Sequence, residues 1–285
     1  MTGEVGPMPE SKHKPELGAV QETLLIPLYG RAVQTRKRYG MIDDPQAVRM
    51  VEEIDYDFSR FDGAKSLLGA TLRTLLFDVW AKDFLRQHPA GTVVEIGTGL
   101  NTRFERLDNG SVRWFDLDLP DAIELRRRYF ADTDRRRMLP VSVTDPSWAD
   151  TVAAGPGPYL LLAEAVLIYL PEDEVKSVFR LIAERLPGST LALETSAPWM
   201  VEHQDQHDVL GDMEARIRWS CADPRDMEGW APDLRLVESR TLARLPSGLR
   251  RSLPLHYRTM MRAVSTVRRR DIEAYRFNLL RFGGS

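Results

Sequence analysis

The amino-acid sequence predicts an α/β fold with one mostly parallel sheet and helices on both of its faces. Three observations support this class. Between residues 92 and 194, short strand-like segments alternate with amphipathic helical ones. The short segments are largely apolar, as strands buried on both faces are. The composition, with 43% hydrophobic and 28% charged residues, is that of an ordinary globular protein.

Helices are predicted ahead of the first strand. Apolar residues along one face predict a helix over residues 17–38. Asp44 followed by Pro45 predicts the start of a second helix, because aspartate caps helix N-termini and proline suits the first turn. A third helical pattern covers residues 61–88 and is ended by Pro89.

The sheet is expected to have seven strands. The first five are predicted near residues 92–96, 112–116, 138–142, 158–163 and 189–194, and the last two near residues 234–240 and 272–282. Helices are predicted between them near residues 119–130, 147–153 and 171–186, with further helical segments between residues 246 and 266.

The chain is expected to fold as one domain over residues 17–285, behind a disordered tail at residues 1–16. Residues 198–232 break the strand–helix alternation with prolines, tryptophans and many charges. We therefore expect two cap segments beside or over the strand ends, at about residues 17–60 and 198–232.

The composition excludes several classes of protein. The net charge of −3 comes from 39 basic and 42 acidic residues, so the arginine runs are expected to be solvated helix faces and not a nucleic-acid groove. A single cysteine, Cys221, excludes an internal disulfide and a cysteine-based zinc site. No apolar run approaches the ~20 residues of a membrane span. We expect a cytoplasmic monomer or homodimer that binds a small molecule, without nucleic-acid or membrane partners.

A glycine turn follows the first strand. Its Gly97 and Gly99 allow the backbone to approach a ligand closely. Asp118 ends the next strand about 20 residues later, where an acid binds ribose hydroxyls in dinucleotide folds. Thr102 replaces the third glycine of the dinucleotide pattern, and Glu95 precedes the turn. This departure points away from NAD and toward S-adenosylmethionine, which has no phosphate for a helix N-terminus to hold.

Asp118 is the preferred ribose ligand of two candidates. Asp116 is the alternative, because both lie on the same face of one strand. Asp118 can also cap the helix that begins at Pro120, and one carboxylate can serve both purposes.

Two further charged residues are candidates for the methionine end of this cofactor. Arg73 lies on an apolar helix face, where an arginine is costly unless an anion meets it. That anion is either the methionine carboxylate or a protein acid such as Glu95. Glu164 ends the fourth strand, where ligands bind in such sheets, and suits the methionine ammonium. A helix-capping carboxylate is the alternative for Glu164.

Three motifs together resemble the leucine carboxyl methyltransferase family, and within it the tetracenomycin-type polyketide O-methyltransferases. They are EIGTGLNTRF at residues 95–104, WFDLDLP at residues 114–120 and LLAEAVLIYL at residues 161–170. The similarity runs from about residue 20 to residue 200. It implies a class I methyltransferase fold with S-adenosylmethionine as the cofactor.

The resemblance also implies cofactor contacts. By position, Arg73 matches the contact to the methionine carboxylate, Asp118 the contact to the ribose, and Glu164 the contact to the methionine moiety. Where family members often place an acid against the adenine, this chain has Ser142. The complete cofactor site expected is Arg73, Glu95, Gly97, Gly99, Asp118, Leu119, Ser142, Val143 and Glu164.

The methyl acceptor is harder to predict, because no spaced motif marks its site. A carboxylate acceptor is already ionised at neutral pH and needs only orienting groups, for which Tyr29 and Arg31 are candidates. A phenol, with a pKa of about 10, benefits from a base, for which His203 and His207 are candidates. Their i, i+4 spacing also permits a metal, but none is predicted. Tyr169 is expected to line an aromatic pocket, with the tryptophans of the second cap segment either beside it or packed within the cap.

Together these features predict an S-adenosylmethionine-dependent O-methyltransferase. Its expected acceptor is a small, polyketide-like metabolite, methylated at a carboxylate to form a methyl ester. Three alternatives are phenolic methylation of the same substrate class, methylation of a peptide or protein C-terminal carboxylate, and cofactor binding without catalysis.

Overall fold

A seven-stranded sheet forms the centre of the computed structural model, which describes residues 12–283. Its strands are β1 (Thr92–Ile96), β2 (Arg113–Asp118), β3 (Arg136–Pro140), β4 (Tyr159–Ala163), β5 (Thr190–Ser196), β6 (Arg235–Arg240) and β7 (Tyr275–Arg281). Their order across the sheet is β3-β2-β1-β4-β5-β7-β6, and among these strands β7 alone runs in the opposite direction, antiparallel to β5 and to β6. The predicted seven-stranded, mostly parallel sheet is confirmed.

Helices cover both faces of the sheet. They are α1 (Leu25–Thr35), α2 (Pro45–Glu53), α3 (Ser66–Gln87), α4 (Arg103–Leu107), α5 (Pro120–Arg126), α6 (Ser147–Ala153), α7 (Glu172–Arg185), α8 (Pro198–Glu202), α9 (Ser247–Ser252), α10 (Leu255–Val267) and α11 (Arg269–Glu273). Successive side chains of a strand point to opposite faces, so each strand supplies both layers. In β4, Leu160 and Leu162 join the core that contains Phe77 of α3, whereas Leu161 joins the core that contains Phe179 of α7. Of the helices described, none is long and apolar enough to cross a membrane.

Buried ion pairs displace two strand boundaries from their predicted positions. Strand β3 begins at Arg136, before the predicted start at residue 138. The guanidinium of Arg136 is buried because it pairs with Asp116 of β2 at 2.6 Å. Asp116 pairs also with Arg126 at 3.2 Å, and β2 continues beyond the predicted range of residues 112–116 to Asp118, the acid that was predicted to end this strand. Charged residues inside a strand interrupt its apolar pattern, so hydrophobicity alone does not locate the strand ends.

The start of the described chain is ordered. Asp44 caps α2 as predicted, accepting a hydrogen bond from the Ala47 amide at 3.0 Å. The His13 amide donates to the Glu53 carbonyl at 2.9 Å, and its carbonyl accepts from the Asp55 amide at 2.7 Å. These bonds give His13 a fixed place, which differs from the predicted disordered tail. The rest of that predicted tail, up to residue 11, lies outside the described residues.

The predicted insertion at residues 198–232 divides into two parts. Its first part contributes side chains to a cavity at the strand ends, and Ile217 packs there against Tyr169. Its second part starts with Trp219, which joins the core beside α7. Of the predicted cap at residues 198–232, the part up to Ile217 therefore supplies cavity-lining side chains, and the part from Trp219 onward packs into the core. The tryptophans of the insertion are not among the residues that line the cavity.

Candidate active site

A cavity of about 490 Å³ lies at the carboxyl ends of the parallel strands. The strand order reverses between β1 and β4, and ligands of open α/β sheets bind at such a point. The predicted site residues that line the cavity are Arg31, Arg73, Glu95, Gly97, Gly99, Asp118, Leu119, Ser142, Val143, Glu164 and Tyr169. Two other predicted residues, Tyr29 and His203, are not among its lining residues.

The backbone of the turn after β1 requires both of its glycines. The φ angle is +63° at Gly97 and +47° at Gly99, in the left-handed region that disfavours other residues. A Cβ on Gly97 would collide with the side chain of Val166, and one on Gly99 would come within 2.9 Å of Leu24. The turn therefore presents bare backbone to the cavity.

Asp118 places a carboxylate beside this turn. One oxygen accepts a hydrogen bond from the Gly99 amide at 2.7 Å, and the other accepts from the Leu119 amide at 2.8 Å. Burial raises the pKa of Asp118 to about 6. Helix α5 has Leu119 at its N-cap position without a side-chain cap, so Asp118 is not its cap. Asp116, the alternative, is buried against Arg136 and does not line the cavity.

Arg73 and Glu164 meet in the cavity wall. Nε of Arg73 donates to Oε1 of Glu164 at 3.1 Å, and its Nη1 donates to the Tyr275 hydroxyl at 3.1 Å. Among the described residues, none accepts from Nη2 of Arg73. Burial alone would raise the pKa of Glu164, but Arg103 and Arg73 hold it at about 2. The protein acid that meets Arg73 is therefore an ionised Glu164 and not Glu95.

Arg103 connects the acidic residues of this wall, and no function was predicted for it from the sequence. The side chain is fully buried, and it contacts Asp78 at 2.7 Å, Glu164 at 2.6 Å and also Glu95. Burial raises the pKa of Glu95 to about 7, and Arg103 opposes that rise. The sequence feature that could have indicated a function for Arg103 is its position directly after the glycine turn. Its partners, however, come from α3, β1 and the end of β4, which only the folded chain brings together.

Two candidates for acceptor chemistry lie away from the cavity, contrary to expectation. The Tyr29 hydroxyl donates to Asp62, and its ring stacks on Phe58 with the centroids 5.4 Å apart. His203 is exposed, with Nδ1 2.8 Å from the carbonyl oxygen of Trp199. Both side chains are thus engaged by other residues outside the cavity lining.

Arg31 lines the cavity but its guanidinium is already engaged. Nε donates to Asp44 at 2.8 Å, and Nη2 donates to the Leu100 carbonyl at 2.7 Å. The side chain is 2% exposed, so these bonds connect α1 to the start of α2 and to the glycine turn. Arg31 therefore supports the cavity wall instead of presenting a free cation to an acceptor.

Three other polar residues line the cavity, two of them from β5 and β7. Ser196 ends β5 and faces Tyr275, its register partner on β7. No local pattern marks either residue, because strand pairing joins segments that are far apart in sequence. His207, from the cap, is the third, and its Nδ1 lies 3.2 Å from the Val209 amide and 3.1 Å from the Leu210 amide. In the described part of the chain, no group of three or more histidine, cysteine, aspartate or glutamate side chains is placed to hold a metal ion.

Comparison with known proteins assigns the family. The family model for leucine carboxyl methyltransferase matches residues 25–183. The tetracenomycin polyketide synthesis O-methyltransferase TcmP of Streptomyces glaucescens is 34% identical over 232 residues, which cover 81% of this chain and 86% of that protein. An S-adenosyl-L-methionine-dependent methyltransferase of Gibberella zeae is 28% identical over 249 residues, covering 80% of this chain and 84% of that protein.

The fold has a counterpart among solved structures. A DUF574 family protein from Streptomyces avermitilis superposes with a TM-score of 0.55 at 17% identity, over 96% of this chain and 98% of that one. At this identity the likeness concerns the fold alone. The family match covers more than half of the chain and agrees with the motifs around the cavity. The chain therefore belongs to the leucine carboxyl methyltransferase family and is an S-adenosylmethionine-dependent methyltransferase.

Proposed function

We propose that this protein methylates a carboxylate oxygen of a small, largely apolar acceptor of the polyketide type. S-adenosylmethionine supplies an electrophilic methyl group on a sulfonium centre. The observation that carries the proposal is a cavity of about 490 Å³, in which a glycine turn with an acid beside it adjoins an apolar compartment under the predicted cap. The relative from Streptomyces glaucescens, named for polyketide synthesis, supports this acceptor class.

The glycine turn suits the nucleoside of the cofactor. The turn has no side chain at Gly97 or Gly99, so its backbone can approach a ligand closely. Asp118 is an anion above a pH of about 6 and can accept hydrogen bonds from two ribose hydroxyls. Ser142 and Val143 line the same end of the cavity after β3, and we assign them to the adenine.

The Arg73–Glu164 pair suits the amino-acid end of the cofactor. Nη2 of Arg73 is the group for the methionine carboxylate, since charge-assisted hydrogen bonds of this kind are strong. Glu164 stays ionised to a pH of about 2 and suits the methionine ammonium. The opposite charges of the pair match the opposite charges of an amino acid.

The remaining lining suits an apolar acceptor. It comes mainly from the two predicted cap segments, with Leu24, Ile26, Pro27, Met200, Leu210 and Ile217, and Leu242 adds to it from the segment after β6. Because residues on two sides of the strand ends contribute to it, the compartment favours a small molecule over an extended peptide.

The ionisable groups of the lining favour a carboxylate over a phenol. Glu95 and Glu164 are paired with Arg103, and Asp118 is bonded to backbone amides, so these acids are engaged. Burial raises the pKa of Tyr169, which therefore stays protonated at neutral pH. A carboxylate acceptor, with a pKa of about 4, needs no base. The protein then has to hold the acceptor oxygen about 3 Å from the methyl group and in line with the leaving sulfur.

The test is to supply labelled S-adenosylmethionine with matched acids and phenols, such as 2-naphthoic acid and 2-naphthol, and larger anthraquinone analogues. We expect label on the acids as a methyl ester, which alkali removes. A base-stable ether on the phenols would instead establish phenolic methylation. Label only on a peptide C-terminus would establish a protein acceptor, and cofactor binding without any methylated product would show that none of these compounds is the acceptor.

A further inference from the structure

His207 is held in one tautomer by its own loop. The backbone amides of Val209 and Leu210 both donate to its Nδ1, over 3.2 and 3.1 Å. A ring nitrogen that accepts from two N–H groups has no room for a proton of its own. The neutral imidazole therefore carries its proton on Nε2.

The His207 imidazole is also kept neutral, and hydrogen bonds hold its loop in place. Burial lowers the pKa of His207 below its usual value, and the positive charge of Arg73 lowers it further, while Asp208 opposes the change. Oδ2 of Asp208 accepts from the Lys65 and Ser66 amides, at 2.6 and 3.1 Å. These bonds fasten the His207 loop to the start of α3. The other Asp208 oxygen is 3.5 Å from Nδ1, which is too long to compete with the two backbone amides.

The Nε2–H edge is the part of this ring that remains available to the cavity. His207 lines the cavity, and its Nδ1 is turned to the backbone of its own loop. No described residue forms a hydrogen bond with Nε2. We propose that Nε2–H of His207 donates a hydrogen bond to the acceptor oxygen, which makes His207 a catalytic residue that binds the acceptor. This assignment rests on the proposed carboxylate methylation and adds the group that selects for it.

A locked tautomer decides between the two chemistries open to a histidine here. To act as a base toward a phenol, the ring needs a free lone pair directed at the acceptor. The only lone pair of this tautomer is on Nδ1 and is shared by two amide hydrogens. His207 therefore donates to an oxygen that is already ionised. It favours carboxylates, and phenols gain no proton acceptor from it.

The tautomer can be read directly by nitrogen NMR of the full-length protein. The ring nitrogens of His207 are assigned by difference from His207→Gln, with His203→Gln as the matched control for the other cap histidine. At pH 7.5, with S-adenosylhomocysteine bound, we expect a bare Nδ1 and a protonated Nε2. A protonated Nδ1 would overturn the proposal.

The activity test uses 2-naphthoic acid and the larger anthraquinone-2-carboxylic acid as acceptors. His207→Ala should reduce kcat/KM for the acids by about tenfold to a hundredfold, as expected for one hydrogen bond to a charged group. His207→Gln should keep most of the activity, because its amide N–H reaches a similar position. His203→Ala, remote from the cavity, should behave as the wild type. All three variants should bind S-adenosylhomocysteine as the wild type does.

The outcomes separate this inference from the proposed function. If the wild type and His207→Ala form methyl esters equally fast, the donor assignment is wrong and carboxylate methylation stands. The same follows if His207→Gln loses as much activity as His207→Ala while cofactor binding is retained. If the wild type forms only ethers on phenols, carboxylate methylation is wrong and the donor assignment falls with it.

Discussion

Replacing Asp118 with alanine should weaken cofactor binding strongly and leave the fold nearly intact. We assign this carboxylate to two ribose hydroxyls of the cofactor. A hydrogen bond to a charged group contributes about 1.5–3 kcal/mol, so losing two costs about 3–6 kcal/mol. At 1.4 kcal/mol for each tenfold change, the dissociation constant should rise by about 10² to 10⁴.

The stability of the protein should change much less. The Asp118→Ala variant loses the acceptor of the Gly99 and Leu119 amides. It also removes a buried carboxylate whose pKa rises from 3.8 to about 6, a cost of about 3 kcal/mol for the anion at 1.36 kcal/mol per pH unit. These two effects oppose each other, so we expect the melting temperature to move by only a few degrees.

The raised pKa of Asp118 predicts how cofactor binding depends on pH. Protonation removes an oxygen acceptor, so the affinity of the wild type should fall as the pH drops below about 6, by up to about tenfold per pH unit. Asp118→Ala should show no such slope between pH 5 and 7. Calorimetry with S-adenosylhomocysteine measures both, and thermal unfolding measures stability. Asp134→Ala, at an exposed aspartate, is the control.

Two results would refute this reasoning. A dissociation constant at pH 7.5 within threefold of the wild type would show that Asp118 does not bind the cofactor. An Asp118→Ala protein that fails to fold would show that the carboxylate mainly holds the glycine turn in place.

Three other changes test the cavity wall, the glycine turn and Glu194, a buried acid of β5. Arg103→Met removes the buried cation shared by three carboxylates, and Glu95 then has no other ion-pair partner among the described residues. The variant should lower the unfolding free energy by about 3–5 kcal/mol in urea denaturation; a loss below about 1 kcal/mol would contradict it. Gly97→Ala forces a side chain into φ +63° against Val166, and should weaken S-adenosylhomocysteine binding at least about tenfold by calorimetry. Burial raises the pKa of Glu194 from 4.5 to about 8, so its contribution to stability is present below pH 4.5 and is lost as the pH rises toward 8. The stability of Glu194→Gln relative to the wild type should therefore increase between pH 4.5 and 8, in urea denaturation measured at a series of pH values. A stability difference that does not change with pH would contradict the raised pKa of Glu194.

The fold class, and most of the residues proposed to bind the cofactor, could be predicted from the sequence alone. Apolar segments at strand and helix spacing predict the sheet, because burial on both faces demands them. Gly97 and Asp118 were identifiable because a turn with positive φ and an acid ending a strand are local features. Arg73 and Glu164 were identifiable because charge at an apolar face or a strand tip is unusual. The motifs around them also predicted the family that the comparisons confirm.

The residues proposed to lie near the methyl acceptor could be identified only from the folded chain. Tyr29 and His203 had suitable chemistry, but the fold directs both away from the cavity. Ser196 and Tyr275 carry no local signal, because they meet only when β5 and β7 pair. Nothing in the sequence separates His203 from His207 as a candidate. The hydrogen bonds of the His207 loop distinguish His207 and set its tautomer. Local periodicity specifies elements, whereas which side chains meet at a cavity depends on contacts between segments far apart in the chain.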